Sequence, residues 1–233
     1  MTRRLPVCAV ILLLLYSKPV YAAHDLIDIP TPGTINRYSM EFNFRLYYNG
    51  GVVSRLSFGV SNRLNIGCSL DIDSLIGITS PAIRQPALNL KFRLFDGAGN
   101  LPALAFGYDG QGYRYDAAAG AYLHKEKGIY LCGDMEVFTE NLEFTFGASL
   151  APDGQTDMQL FGGTMYTLLK NELRLLSFMA ECDNIFYSNR YNAGIRIYPG
   201  PNINIDLGII DLITTESVNN PERLVKINYR GQF

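Results

Sequence analysis

The stretch ERLVKINYRGQF, residues 222–233, decides how the rest of the chain is read. Val225, Ile227, Tyr229, Gly231 and Phe233 fall on one side of a period-two pattern. Lys226, Asn228, Arg230 and Gln232 fall on the other. That is a strand with two unlike faces, running to the last residue, where most soluble domains let the chain fray.

Working back from this end, eleven more segments carry the same alternation of aromatic or β-branched with polar residues, separated by Gly, Asn, Asp or Pro. The clearest are 38–48, 52–60, 64–72, 87–95, 128–137, 141–150, 191–198 and 202–210. Three more, 103–109, 158–168 and 172–182, have a phase that the pattern alone leaves open. The count is about twelve, and no helical period of comparable length competes.

The connections divide into two classes. Apart from NGG (49–51), the odd-numbered links are long, as in DSLIGITSPAIRQP and QGYRYDAAAGAYLHKEK, while the even-numbered ones are short, as in SNR, FTE, LKN and PGP. An up-and-down meander with tight turns at one end and longer loops at the other is the pattern of an outer-membrane β-barrel, short turns toward the periplasm. Periodicity leaves open which way the apolar face points, so a soluble exported lipocalin-like barrel or sandwich is the competing architecture. An even strand number, 15 Tyr and 13 Phe for interfacial girdles, and a terminal strand ending on Phe233 favour lipid. The fold expected is all-β, a twelve-stranded antiparallel transmembrane barrel over 37–233.

The other end of the chain fits export. Arg3 and Arg4 precede an apolar run from Leu5 to Tyr16, and Val20-Tyr21-Ala22 precedes Ala23, which reads as a signal peptide (1–22) cut between Ala22 and Ala23. Its loss removes Arg3, Arg4 and Lys18, taking Lys plus Arg from 20 to 17 against 22 acids and the charge from −2 to −5, a balance that argues against nucleic acid. Residues 23–36, with Pro30 and Pro32, are extended and poorly suited to strand pairing; they read as a periplasmic lead-in, with folding into the barrel mouth as the alternative. Cys68, Cys132 and Cys182 remain in the mature chain. Cys68 shares an apolar phase, a Cys132–Cys182 bridge stays open, and no cysteine or histidine pair has metal-ligand spacing, so no cofactor is expected.

If the apolar face meets lipid, parity assigns the inner face. Glu41, Arg45, Arg55, Lys91, Arg93, Asp134, Glu136, Glu143, Arg196, Lys226 and Arg230 would line the lumen. Closure would put Lys226, Arg230, Arg45 and Arg55 on one wall and Asp134, Glu136 and Glu143 about half a circumference away, giving a transverse field across a narrow passage. Pairing of these charges into a plug is the alternative. A lipid hydrolase would need a histidine base. Only His24 and His124 survive processing, and His124, in AYLHKEKG, reads as a solvated loop residue, so no enzyme is expected.

The segments LIDIPTPGTI, RLYYNGGVVSRLSFGVSNRLNIGCSLDIDSLIG, PALNLKFRLFDG, PALAFGYDGQGY, KGIYLCGDMEV and YNAGIRIYPG together resemble the YjbH-like outer-membrane β-barrel proteins. The resemblance implies an outer-membrane barrel linked to exopolysaccharide production, with polysaccharide-export components as partners, and supplies no catalytic motif. The strand pattern ending on Tyr229 and Phe233 resembles the signal read by the barrel-assembly machinery. Outer-membrane lipids and that machinery are the remaining expected partners.

Overall fold

The structure is a computed structural model and describes residues 25–98, 101–124, 126–139, 141–150, 158–171, 173–186, 189–214 and 221–232. The signal peptide, the Ala22/Ala23 junction, His24 and Phe233 lie outside the described residues. Fifteen strands follow one another: β1 (Ser39–Tyr47), β2 (Gly51–Ser61), β3 (Leu64–Asp73), β4 (Ala82–Ile83), β5 (Ala87–Ala98), β6 (Leu101–Asp109), β7 (Tyr113–Asp116), β8 (Ala121–His124), β9 (Gly128–Glu136), β10 (Leu142–Leu150), β11 (Gln159–Lys170), β12 (Leu173–Asp183), β13 (Arg190–Gly200), β14 (Ile203–Thr214) and β15 (Glu222–Gln232).

Twelve of them form one closed antiparallel barrel. β4 is a two-residue addition to β3, and β7 pairs with β8 in a separate hairpin within the long link after β6. Closure runs through β1 and β15, from Ser39 opposite Gln232 to Leu46 opposite Val225. With every barrel strand paired on both sides, no edge is left to expose backbone N–H and C=O groups to lipid. The strand that ends the sequence is therefore the seam of the barrel. The link between β1 and β2 is the tight one: Tyr47 stands opposite Gly51, leaving three residues, Tyr48–Gly50, of which Asn49 and Gly50 take positive φ (56° and 69°) to turn the chain.

The barrel is apolar outside and polar inside. Phe42, Ile66, Phe92, Phe106, Leu131, Phe144, Phe178, Leu207 and Ile227 stand exposed on the outer wall, while Glu41, Arg45, Lys91, Asp134, Arg196, Asp206 and Lys226 are buried in the interior. A lipocalin-like or sandwich protein would show the reverse, so the soluble alternative is overturned by the direction of the apolar face. Cys68 and Cys182 lie in the outward phase and Cys132 faces inward; all are free thiols, and the Cys132–Cys182 bridge is excluded because the two side chains point to opposite faces.

Residues 25–36, expected as a lead-in beyond the sheet, instead fold back into the lumen. Leu26, Ile27, Ile29 and Ile35 are at most 1% exposed. The segment pairs with no barrel strand; its one bridge is internal, Asp25 with Pro30. The physical reason is on the wall facing it. Phe161, Met165, Met179, Ile210 and Leu224 are apolar residues on the inner face, and Leu26, Ile27 and Ile29 cluster with them. Burying these side chains against one another removes apolar surface from a polar interior, at roughly 1.5–3 kcal/mol for each large side chain.

Candidate functional site: a filled barrel interior

All eleven charged residues assigned to the lumen by parity lie on the inward phase of their strands, and register places them. Arg45 faces Lys226 and Glu41 faces Arg230 across the β1–β15 seam, and Asn43 faces Arg55 across β1–β2. Glu143 faces Glu136, and Asp134 faces Thr145, across β9–β10, six strand steps from β1 in a twelve-strand cycle. The walls are disposed as the sequence indicates, but the basic one is neutralised. Arg45 pairs with Asp28 (2.6 Å), Arg55 with Asp109 (2.6 Å) and Asp25 (3.6 Å), and Lys91 with Asp25 (3.4 Å). Arg196 forks onto Asp206 (2.6 and 2.9 Å) and Arg230 holds Glu41 (2.5 Å). Two of the neutralising acids, Asp25 and Asp28, come from the inserted segment. The expected transverse field is thus corrected to a paired interior, because a cation in so narrow a space must be hydrated or matched. Across the lumen, Asp134 is 1% exposed and neither carboxyl oxygen has a hydrogen bond among the described residues.

The inserted segment is held by contacts to its backbone. Glu181 on β12 accepts the N–H groups of Ile27 (3.0 Å), Asp28 (2.8 Å) and Ile29 (3.3 Å), and Asn192 completes its shell (2.7 Å). Successive N–H groups converging on one carboxylate form an anion nest. On the opposite side of the segment, Arg196 donates to the carbonyls of Asp25 (2.9 Å) and Leu26 (3.4 Å), and Lys226 to those of Leu26 (2.9 Å) and Ile27 (3.3 Å). Glycines let the segment approach the wall. A Cβ at Gly163 would stand 2.8 Å from Leu26 Cδ1, and one at Gly194 3.2 Å from Ile27 Cδ1. Residues 32–37 tie the segment back to β1, with Arg93 donating to the Pro32 carbonyl (3.0 Å) and Asn65 accepting the Ile35 N–H (3.2 Å).

The β7–β8 hairpin closes over this segment from the end that carries the long links. Tyr113 donates to Asp28 Oδ2 (2.8 Å), Arg45 lies over the Tyr113 ring (4.0 Å), and His124 stacks on its other side (4.3 Å between centroids, 9° between planes). Burial opposes charge on Asp28, but Arg45 and then Arg190 outweigh it and hold its carboxyl well below the usual carboxylate range. His124 is 4% exposed, so the reading of it as a solvated loop residue is corrected. Its Nδ1 meets Arg190 Nη1 (2.5 Å) and its Nε2 faces Asp211 (3.6 Å). Since arginine can only donate, Nδ1 accepts and the proton sits on Nε2. Burial and then the Arg190 charge push the imidazole down to about 3, leaving it neutral at ordinary pH.

Two spaces flank the segment. A chamber of about 1160 Å³ opens among the short turns, lined by Arg93, Arg174, Arg196, Lys226 and Arg230 with Asp25, Glu41 and Asp96, and by the amides of Asn36, Asn62, Asn202, Asn204 and Asn228. Toward the long links only about 60 Å³ remains, between Asp28, Arg45, Tyr113, His124, Lys127 and Arg190. Asp25 and Lys226 line both.

No protein-family model and no curated protein sequence matches the chain. Among solved structures it is similar to a KdgM porin, at 11% identity with a TM-score of 0.51 over 82% of this chain and 98% of that one. It is similar also to a KdgM porin in complex with disordered oligogalacturonate, at 12% identity with a TM-score of 0.50 over 84% and 99%. At such identity the likeness is one of architecture, and the chain has the fold of a twelve-stranded outer-membrane β-barrel.

Proposed function

We propose that the chain is a non-enzymatic outer-membrane protein that provides a narrow polar passage for carbohydrate-like solutes, held shut by its own residues 25–30. One observation carries this reading: two polar chambers lie on either side of a segment that pairs with no barrel strand, so the segment can leave without disturbing the wall. The apolar exterior supports residence in a bilayer, with lipids as its surroundings and the barrel-assembly machinery as the route there. The larger chamber offers five basic side chains against three acidic ones, with amides and Tyr198 between them, chemistry suited to an acidic sugar chain. A KdgM porin of the same fold is described with oligogalacturonate, and the YjbH-like resemblance supplies the link to exopolysaccharide production and its export components.

The filled interior favours a second reading, a purely structural barrel of the envelope. Planar-bilayer recordings on the full chain and on an Asp25→Asn/Asp28→Asn variant separate the two. The passage reading expects rare or small openings for the full chain and frequent ones for the variant. Electrical silence from both, in protein that migrates as a folded barrel, leaves the structural reading.

A further inference from the structure

The seat of residues 25–30 has the features of a receptor. Its charged side chains read an extended backbone: Glu181 takes three consecutive N–H groups, and Arg196 and Lys226 take three consecutive carbonyls. Two further sites read carboxylates three residues apart, Arg55 and Lys91 at Asp25, and Arg45 with Tyr113 at Asp28. Between these, the glycine-floored stretch at Gly163 and Gly194 accepts two branched apolar side chains, Leu26 and Ile27. None of these contacts is a rung of the barrel ladder, so Glu181, Arg196, Lys226, Arg55, Lys91 and Arg45 keep their places in the wall when the segment is absent.

We infer that the inner wall is a peptide-binding site whose resident ligand is residues 25–30, and that it accepts in trans an extended acidic–apolar–apolar–acidic peptide of the type Asp-Leu-Ile-Asp. Covalent attachment makes the resident segment a ligand at high effective concentration, which keeps competitors out until the segment is released. Free peptide, or an exported partner carrying the same pattern, then occupies the vacated wall. Binding itself is independent of solute passage; its consequence, closure, rests on the passage reading above.

The test uses the full chain with Ile27→Asp, which sets a carboxylate on the apolar floor and expels the segment, and a labelled synthetic peptide HDLIDIPTPGTIN. An Asp25→Asn/Ile27→Asp/Asp28→Asn variant serves as a second emptied chain. Fluorescence anisotropy in detergent is expected to show saturable binding to both, at least about tenfold weaker binding to the native chain, and at least about tenfold loss when the peptide carries asparagine at both acidic positions. Equal binding to native and emptied chains, or no binding to either emptied chain while both migrate as folded barrels, overturns the inference. Binding without any current before or after peptide addition supports the site and overturns the passage reading. Loss of an existing current on peptide addition supports both.

Discussion

Replacing Glu181 with alanine tests the seat of the inserted segment at its most concentrated point. The carboxylate is 3% exposed and accepts three backbone N–H groups from residues 27–29 at 2.8–3.3 Å. A hydrogen bond to a charged group contributes roughly 1.5–3 kcal/mol, which would put the three together at about 4–9 kcal/mol before the desolvation of the glutamate is counted against them. Removing one side of such a buried set costs about 3–5 kcal/mol net, which shifts the seated-to-released ratio by between about a hundredfold and several thousandfold. The barrel should not notice, because Glu181 enters the ladder through its backbone, opposite Gly163 and Asn192. Hydrogen exchange read by mass spectrometry on peptides covering residues 25–37 should show that protection falls by the same factor, with heat-modifiable gel migration unchanged. Unaltered protection in a folded barrel would refute the claim that this carboxylate holds the segment.

The other predictions address the latch, its titration and the outer wall. Asp28→Asn leaves Arg45 without its ion pair and should weaken seating by about 3–5 kcal/mol, with the double variant Asp28→Asn/Arg45→Gln recovering part of that loss in a mutant cycle on the same exchange readout. His124 is held at about 3, below its ordinary value near 6.5, so the released hairpin binds the proton more readily than the seated one. Seating of the β7–β8 hairpin is therefore complete above pH 6.5 and weakens by about 1.4 kcal/mol per pH unit as pH falls from there toward 3, an exchange profile that His124→Gln should flatten over that window. Phe106→Arg places a guanidinium on the outer face at mid-strand, opposite Phe92 and Leu131, and should cost about 2–4 kcal/mol in urea titrations of barrel folding into lipid vesicles. An unchanged midpoint there would mean that this wall does not face acyl chains.

The barrel was legible because its signal is repetitive. Alternation fixes the face of every residue in a strand, link parity fixes the two ends, and closure fixes which strands meet, so Arg45 and Lys226 on one wall follow from counting, while the register that sets them opposite each other comes from the shear of the closed sheet. The phase that could not be read, at β11 and β12, has a structural cause. A register shift between Leu168 and Leu169 breaks the count, and Phe161, Met165 and Met179 interrupt the inner faces with apolar side chains, so the alternation of apolar and polar residues is blurred there. Those same residues were the available clue to the inserted segment. Apolar side chains in the inward phase, with Gly163, Gly194 and Gly208 among them, need an apolar cover that a water-filled lumen does not offer, and the sequence has Leu26, Ile27 and Ile29 just ahead of β1 to supply it. Pro30 and Pro32 mark that stretch as unfit for strand pairing, which is correct, but they carry no information on whether an unpaired segment runs away from the barrel or into it. The choice is made by long-range matching of Asp25 and Asp28 with Arg55, Lys91 and Arg45, partners 17 to 66 residues away in side-chain contacts that no local period encodes.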